Sequence, residues 1–226
     1  MGDEAGDKGE APNTKYQTLN TQHATPNIHD KAPLIVISGP SGVGKTTLVD
    51  ALLASTRLPL RRAITATTRK KRDSEQDGVA YHFWSRAQFE EALARHEMLE
   101  WAEVHGRDFY GTPQAEVDLY RERGIGVILV IDVQGAGQVR ARYPDRLLSV
   151  FIAPPRFEDL VDRLTARGEP DESQRRRLDT ARQELARQAE FDRVLVNADL
   201  ATATAALEAV IRDEFQKRGF SQCSTN

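Results

Sequence analysis

The sequence predicts an α/β fold, a parallel sheet flanked by helices with a small mixed lobe inserted into it. Three observations predict it. Short runs of branched apolar residues, the mark of strands buried on both faces, alternate with helix-length segments. A glycine-rich turn separates the first such run from the first helix. Between Arg62 and Gly111 that order breaks, and polar and apolar residues alternate one by one, as in half-exposed antiparallel strands.

The first strand is Leu34-Ile35-Val36-Ile37, bounded by Pro33 and Gly39, and the first helix is Lys45–Ser55. Gly126–Ile131 and Leu147–Ile152 are two more strands of the same buried kind, and Arg193–Val196 is a fourth strand. A helix over Gln114–Arg123 has Thr112 as its cap, Pro113 in its first turn and Gly124 just past its end. Phe157–Arg167 is helical and stops at Gly168; Gln174–Glu190 is long, polar and Arg-laden; Leu200–Arg218 opens on Asp199 as cap and ends at Gly219. Strands alternating with helices imply right-handed βαβ units. Within the lobe, Val79–Trp84 and Met98–Val104 read as strands around a short helix, Ser85–His96, where Ser85 and Gln88 fit a capping box.

A chain of 226 residues suits one domain with small inserted lobes. No apolar run is long enough to cross a bilayer, so no membrane partner is expected. The single cysteine, Cys223, excludes an internal disulfide framework and a Cys-based zinc site. The net charge of −3 resides in residues 1–30, and the remainder is balanced, which argues against nucleic acid as a partner. That acidic tail, residues 1–31, is poor in branched apolar residues and reads as disordered. It lacks the apolar stretch of a secretory signal and the arginines of a mitochondrial one, so a cytoplasmic protein is expected. The body is 32–218, and 219–226 is a second loose terminus.

Gly39-Pro40-Ser41-Gly42-Val43-Gly44-Lys45-Thr46, followed by Thr47, has the P-loop spacing between a strand and a helix. Glycines let successive backbone N–H groups converge on phosphate oxygens, and the helix turns its positive end toward the same anion. Lys45 adds a full charge near the terminal phosphates, and the Thr46 hydroxyl can bind Mg²⁺. The motif points to a nucleoside triphosphate and a P-loop NTPase-type core; it leaves the phosphate acceptor open. Downstream, Arg62–Arg72 is a basic stretch in which Arg69 and Arg72, three apart, suit a second, monophosphate-sized anion or else a solvated basic face.

Read in order, GPSGVGKT, TATTRKKR, GVAYHF, EWAEVHG, FYGT, DVQG, RLTARG and VLVN resemble the guanylate kinase family, from about Leu34 to Phe215. The resemblance implies transfer of the ATP γ-phosphate to GMP with Mg²⁺, giving ADP and GDP. It implies a core (about 32–62, 113–155 and 178–218), a GMP-binding lobe (63–112) and a helical lid (156–177). Carried over by residue, Thr65, Arg69, Arg72, Tyr81 and Tyr110 match contacts to the GMP phosphate, while Glu100, Asp132 and Thr112 match groups around guanine. Glu103 competes with Glu100, and Asp132 can equally cap the next helix. Arg163, Arg167 and Arg177 match lid arginines over the triphosphate, with Arg175 and Arg176 as adjacent alternatives. Asn197 matches a residue near adenine. Three features depart from the family pattern: Val130 stands where an acid is common, the loop through Gly106-Arg107-Asp108 is one residue longer, and Lys70 and Lys71 replace the usual small or Pro residues. Trp84 and Trp101 read as packing, and the five histidines as incidental.

Two rival readings remain at this point. A P-loop kinase with a sugar-phosphate acceptor would have no use for the Glu100–Asp132 pair. A guanylate-kinase-like scaffold that binds phosphopeptides would have no use for Lys45 and Thr46. The expected partners are thus ATP and GMP, with the chain a monomer or homodimer.

Overall fold

The computed structural model describes residues 31–79, 81–104, 107–144, 146–165 and 171–220. The N-terminal acidic stretch, His105, Gly106, Arg167, Gly168 and residues 221–226 lie outside the described residues. In chain order the elements are β1 (Leu34–Ser38), α1 (Lys45–Ser55), β2 (Leu60–Arg62), β3 (Ala66–Thr67), β4 (His82–Phe83), α2 (Arg86–Ala94), β5 (Met98–Val104) and β6 (Asp108–Pro113). There follow α3 (Ala115–Arg121), β7 (Gly126–Val130), α4 (Val133–Arg142), β8 (Leu147–Ala153), α5 (Phe157–Thr165), α6 (Asp171–Ala186), β9 (Arg193–Val196) and α7 (Leu200–Lys217).

A five-stranded parallel sheet, ordered β2-β7-β1-β8-β9, forms the core. Period-two alternation splits each central strand between two apolar layers. Ile35, Ile37, Ile128, Val150 and Ile152 face α1 and α7, packing on Leu48, Leu52, Leu207 and Ile211. Leu34, Val36, Val127, Leu129 and Phe151 face α3 and α4, packing on Val117, Val133 and Val139. Sequence reading found four of these strands; β2, Leu-Arg-Arg at the sheet edge, carries no apolar run to betray it. Asp199 caps α7, accepting the Thr202 N–H over 2.8 Å, as its position predicted.

The second sheet, β4-β3-β6-β5, holds a separate small core of Phe89, Ala92, Met98 and Phe109. Ser85 and Gln88 form the expected capping box on α2. Two expectations fail here. The β4 strand runs parallel to β3, whereas β5 and β6 are antiparallel; alternation along a strand reports its exposed face and not its direction. Thr112 and Pro113 end β6 and do not start α3, whose cap is Gln114. Thr112 pairs with Glu100 in the ladder and its hydroxyl is committed there, so it has none to offer a helix. The expected helix over Gln174–Glu190 runs instead from Asp171 to Ala186, and a 3-10 turn covers Gln188–Glu190.

Several contacts tie the lobe to the core. Glu116 on α3 pairs with Arg61 of β2 (2.8 Å), meets His82 Nε2 of β4 (3.0 Å) and accepts the Ile64 N–H (3.3 Å). The Gln138 side chain of α4 accepts the Trp101 N–H and donates to the Trp101 carbonyl.

Candidate active site

The P-loop turn follows β1. Gly39, Gly42 and Gly44 have φ of 136°, 85° and 95°, a region that only glycine enters freely. A Cβ at Gly39 would collide with the Ile152 carbonyl, so the turn can lie flat on β8 only without a side chain. Because α1 starts at Lys45, its first N–H groups lack intrahelical partners and open onto this turn. The Lys45 ammonium donates to the Gly39 carbonyl and, over 3.0 Å, to the Pro40 carbonyl. Burial lowers its pKa, while the Glu184 and Asp132 carboxylates oppose that shift.

Two distant segments converge on the same turn. Asn197, just after β9, donates from Nδ2 to the Val43 carbonyl over 2.8 Å, and Arg163 of α5 donates to that carbonyl over 3.3 Å. Gly42, Gly44, Thr47, Arg163, Asn197 and Leu200 line a cavity of about 490 Å³ beside the cradle. On α6, Arg177 is half-buried while Arg175 and Arg176 are exposed. The third expected lid arginine, Arg167, falls outside the described residues.

A second cavity, of about 280 Å³, is lined by Thr46 and Val130 from the core and by Arg62, Thr65, Val79 and Tyr81 from the segment entering the lobe. So the cradle and the basic lobe open onto one space. Arg69 ion-pairs with Glu75 at 2.7 Å and donates to the Lys70 carbonyl at 2.8 Å. That bond to Glu75, with a further one to Tyr110, raises the pKa of Arg69. Glu75 also accepts the Arg72 N–H over 2.9 Å, closing the basic stretch into a loop that leaves Arg72 exposed. Tyr81 and Tyr110 meet edge to face at 5.9 Å, and Arg69 stacks over Tyr81 at 5.5 Å.

Deeper in, Glu100 of β5 is 6 % exposed and accepts the Thr112 hydroxyl over 2.7 Å. Its Oε2 and Asp132 Oδ1 lie 3.0 and 3.5 Å from where a Cβ on Gly135 would stand, so a carboxylate from the lobe and one from the core converge over that glycine. Burial and the Asp132 charge push the Glu100 pKa up to about 7, against the pull of Thr112. Asp132 also caps α4, accepting the Gly135 N–H over 2.7 Å, as the cap reading expected. The competitor Glu103 is exposed. Trp84 and Trp101 pack edge to face on Phe89 and Phe109.

Sequence reading missed Glu75, Glu116 and Glu184. Each is one acid among many in a charged stretch, and only its tertiary neighbour distinguishes it. His82, taken as incidental, has Glu116 as partner.

Among the described residues no cluster of three or more His, Cys, Asp or Glu could hold a metal on its own. The Thr46 hydroxyl beside the cradle fits a cation that keeps most of its waters and arrives on phosphate oxygens, as Mg²⁺ does. Among the described residues no helix is long and apolar enough to cross a membrane.

Comparison with known proteins gives the family and the fold. The family model described as Guanylate kinase matches residues 31–214. Guanylate kinase of Symbiobacterium thermophilum is 48% identical over 185 residues, covering 81% of this chain and 86% of that one. Guanylate kinase of Thermobifida fusca is 48% identical over 179 residues, covering 79% and 90%. The crystal structure of guanylate kinase from Anaplasma phagocytophilum superposes with a TM-score of 0.67 at 29% identity, covering 82% of this chain and 87% of that one.

Proposed function

The chain belongs to the guanylate kinase family, and on that premise we infer that it is a guanylate kinase, transferring the γ-phosphate of ATP to GMP to give ADP and GDP. The observation that carries the reading is the shared cavity: Thr46 of the phosphate cradle and Thr65 and Tyr81 of the lobe face one space.

In this reading the cradle over Gly39–Thr46, with Thr47 and Lys45, holds the triphosphate, and Asn197 lies toward adenine. Thr65, Arg69, Arg72, Tyr81 and Tyr110 hold the GMP phosphate. Glu100 and Asp132, with Thr112, read guanine, whose N1–H and 2-amino group are donors matched to carboxylates. Adenine lacks the 2-amino donor and would leave a buried acceptor unpaired, a mismatch worth roughly 10⁴-fold in selectivity. The Thr46 hydroxyl would hold a bound Mg²⁺, which would supply neutralisation of phosphate charge.

The GMP phosphate oxygen is already a nucleophile, so no general base is required. One of its oxygens bonds to the γ-phosphorus in line, as the bond to the β–γ bridging oxygen breaks and ADP leaves. Catalysis is alignment plus charge neutralisation by Lys45, Arg69 and the lid arginines Arg163, Arg167 and Arg177. Closure of the lobe (63–112) and lid (156–177) on the core would exclude water. One chain carries both pockets, so the reading needs no second copy. The cytoplasm, which supplies both nucleotides, is its proposed place.

A coupled ADP-release assay with GMP, dGMP, AMP, UMP and ribose 5-phosphate tests this. ADP release with the guanine nucleotides and near-background rates with the rest is the expected result. Equal rates with AMP, or turnover only with the sugar phosphate, would overturn it.

A further inference from the structure

Glu116 has no part in the reaction above, yet its contacts single out one cavity wall. It stands in the first turn of α3, and its neighbour Val117 is buried in the core with Leu34 and Val36. One carboxylate oxygen takes the Arg61 guanidinium over 2.8 Å and the Ile64 N–H over 3.3 Å. The other meets His82 Nε2 at 3.0 Å. These partners come from β2, from the segment leaving it and from β4. Each adjoins in sequence a residue lining the cavity of about 280 Å³ that joins cradle and lobe. Arg61 precedes Arg62, Ile64 lies between Ala63 and Thr65, and His82 follows Tyr81. Successive residues of an extended chain point to opposite sides, so Glu116 grips from behind the segments whose front faces the cavity.

The grip is charged and multiple. Burial raises the pKa of Glu116, but His82, Arg61 and the Ile64 N–H outweigh it and keep it below the usual carboxylate range. An ionised carboxylate has about four lone-pair sites, enough for all three partners at once. Arg61 is braced in turn, stacking on Tyr120 at 3.6 Å and donating to the Glu116 carbonyl over 3.2 Å. The His82 N–H donates to the Thr65 carbonyl over 2.9 Å, which couples the two lobe segments. We propose that Glu116 is a positioning residue of the acceptor site, holding Thr65 and Tyr81 at a fixed distance from the Thr46 side of the cavity. The proposal rests on the kinase reading of that cavity. Because α3 packs on the core sheet and β4 belongs to the lobe, one carboxylate sets where the acceptor wall stands relative to the phosphate cradle.

Calorimetric GMP binding and steady-state kinetics on the full chain test this. Glu116→Ala should raise the Kd and the KM for GMP roughly tenfold. The KM for ATP, the affinity for inorganic tripolyphosphate and kcat at saturating GMP should stay within about twofold, a split that general loosening of the fold would not give. His82→Ala cuts one of the three contacts and should raise the KM for GMP about threefold. The double variant should match Glu116→Ala alone, since both act through one wall. Arg142→Met is the control, because it removes a different link between core and lobe, from α4 to the Met98 carbonyl. It should leave the KM for GMP unchanged. Unaltered GMP affinity in Glu116→Ala, or an equal loss in Arg142→Met, overturns the proposal. If Glu116→Ala does not fold, His82→Ala decides, and unchanged GMP affinity there refutes it. Absence of GMP-dependent ADP release by the unaltered chain counts against the kinase reading instead. The ratio of variant to parent is then taken with whichever acceptor the ADP-release assay selects.

Discussion

Thr112 donates its hydroxyl to Glu100 over 2.7 Å, between two adjacent strands of the lobe, with both residues buried. The other Glu100 oxygen lies over Gly135, at the start of a core helix that Asp132 caps. A carboxylate of the lobe and one of the core thereby share one wall, and burial pushes the pKa of the first up to about 7.

That pKa makes acceptor use depend on pH. In the proposed reading Glu100 accepts two guanine N–H groups, and it does so far better ionised than protonated. The KM for GMP should be flat above pH 7 and should rise about tenfold per unit below it, while the KM for ATP stays level from pH 6 to 8. Steady-state kinetics across that range check the slope, and a flat GMP profile would remove Glu100 from the contact.

Glu100→Gln separates function from stability. The folded pKa lies above the unfolded value of 4.5, so the stabilising contribution of the protonated acid is complete below pH 4.5 and lost as pH rises to about 7. At pH 8 the parent carries a buried anion that glutamine does not. The variant should therefore gain on the order of 2 kcal/mol at pH 8 and nothing at pH 4, and lose about 100-fold in kcat/KM for GMP. Thermal melts at the two pH values, with kinetics, give the comparison.

Lys45→Met should lower kcat by at least about 10³-fold with every acceptor, since the charge it supplies in the transition state has no substitute in the cradle. Among the described residues the ammonium's hydrogen bonds go to two turn carbonyls, so the fold should survive; circular dichroism verifies that. Retained turnover would refute its role.

Arg69 and Glu75 should act as a unit. Arg69→Ala should raise the KM for GMP by roughly 100-fold. Glu75→Ala, which frees the guanidinium and opens the loop at Arg72, should raise it about tenfold. The double variant should resemble Arg69→Ala alone; additive losses would mean that Glu75 acts elsewhere.

Glu116→Ala should destabilise the chain by about 2 kcal/mol, because it removes the carboxylate that meets both the half-buried Arg61 guanidinium and His82, leaving Arg61 its bond to the backbone carbonyl of residue 116 and its stacking on Tyr120. The urea midpoint reads this loss, and tripolyphosphate affinity should not change.

The local chemistry was legible in the sequence. Branched runs at Leu34–Ile37, Gly126–Ile131 and Leu147–Ile152 announced buried strands, because a strand covered on both faces must be apolar throughout. The P-loop spacing announced its own turn, since only glycine accepts the φ angles at Gly39, Gly42 and Gly44. Caps at Ser85 and Asp199 were likewise local decisions. What the chain alone could not decide is every feature set by partners far along it. Strand direction at β4, the commitment of Thr112 to Glu100 and not to a helix, and the choice of Glu100 over Glu103 all follow from pairing between segments. The same holds for Glu75, Glu116 and Glu184. A carboxylate looks alike anywhere in a sequence; desolvation and the cation or N–H that meets it are properties of the assembled fold.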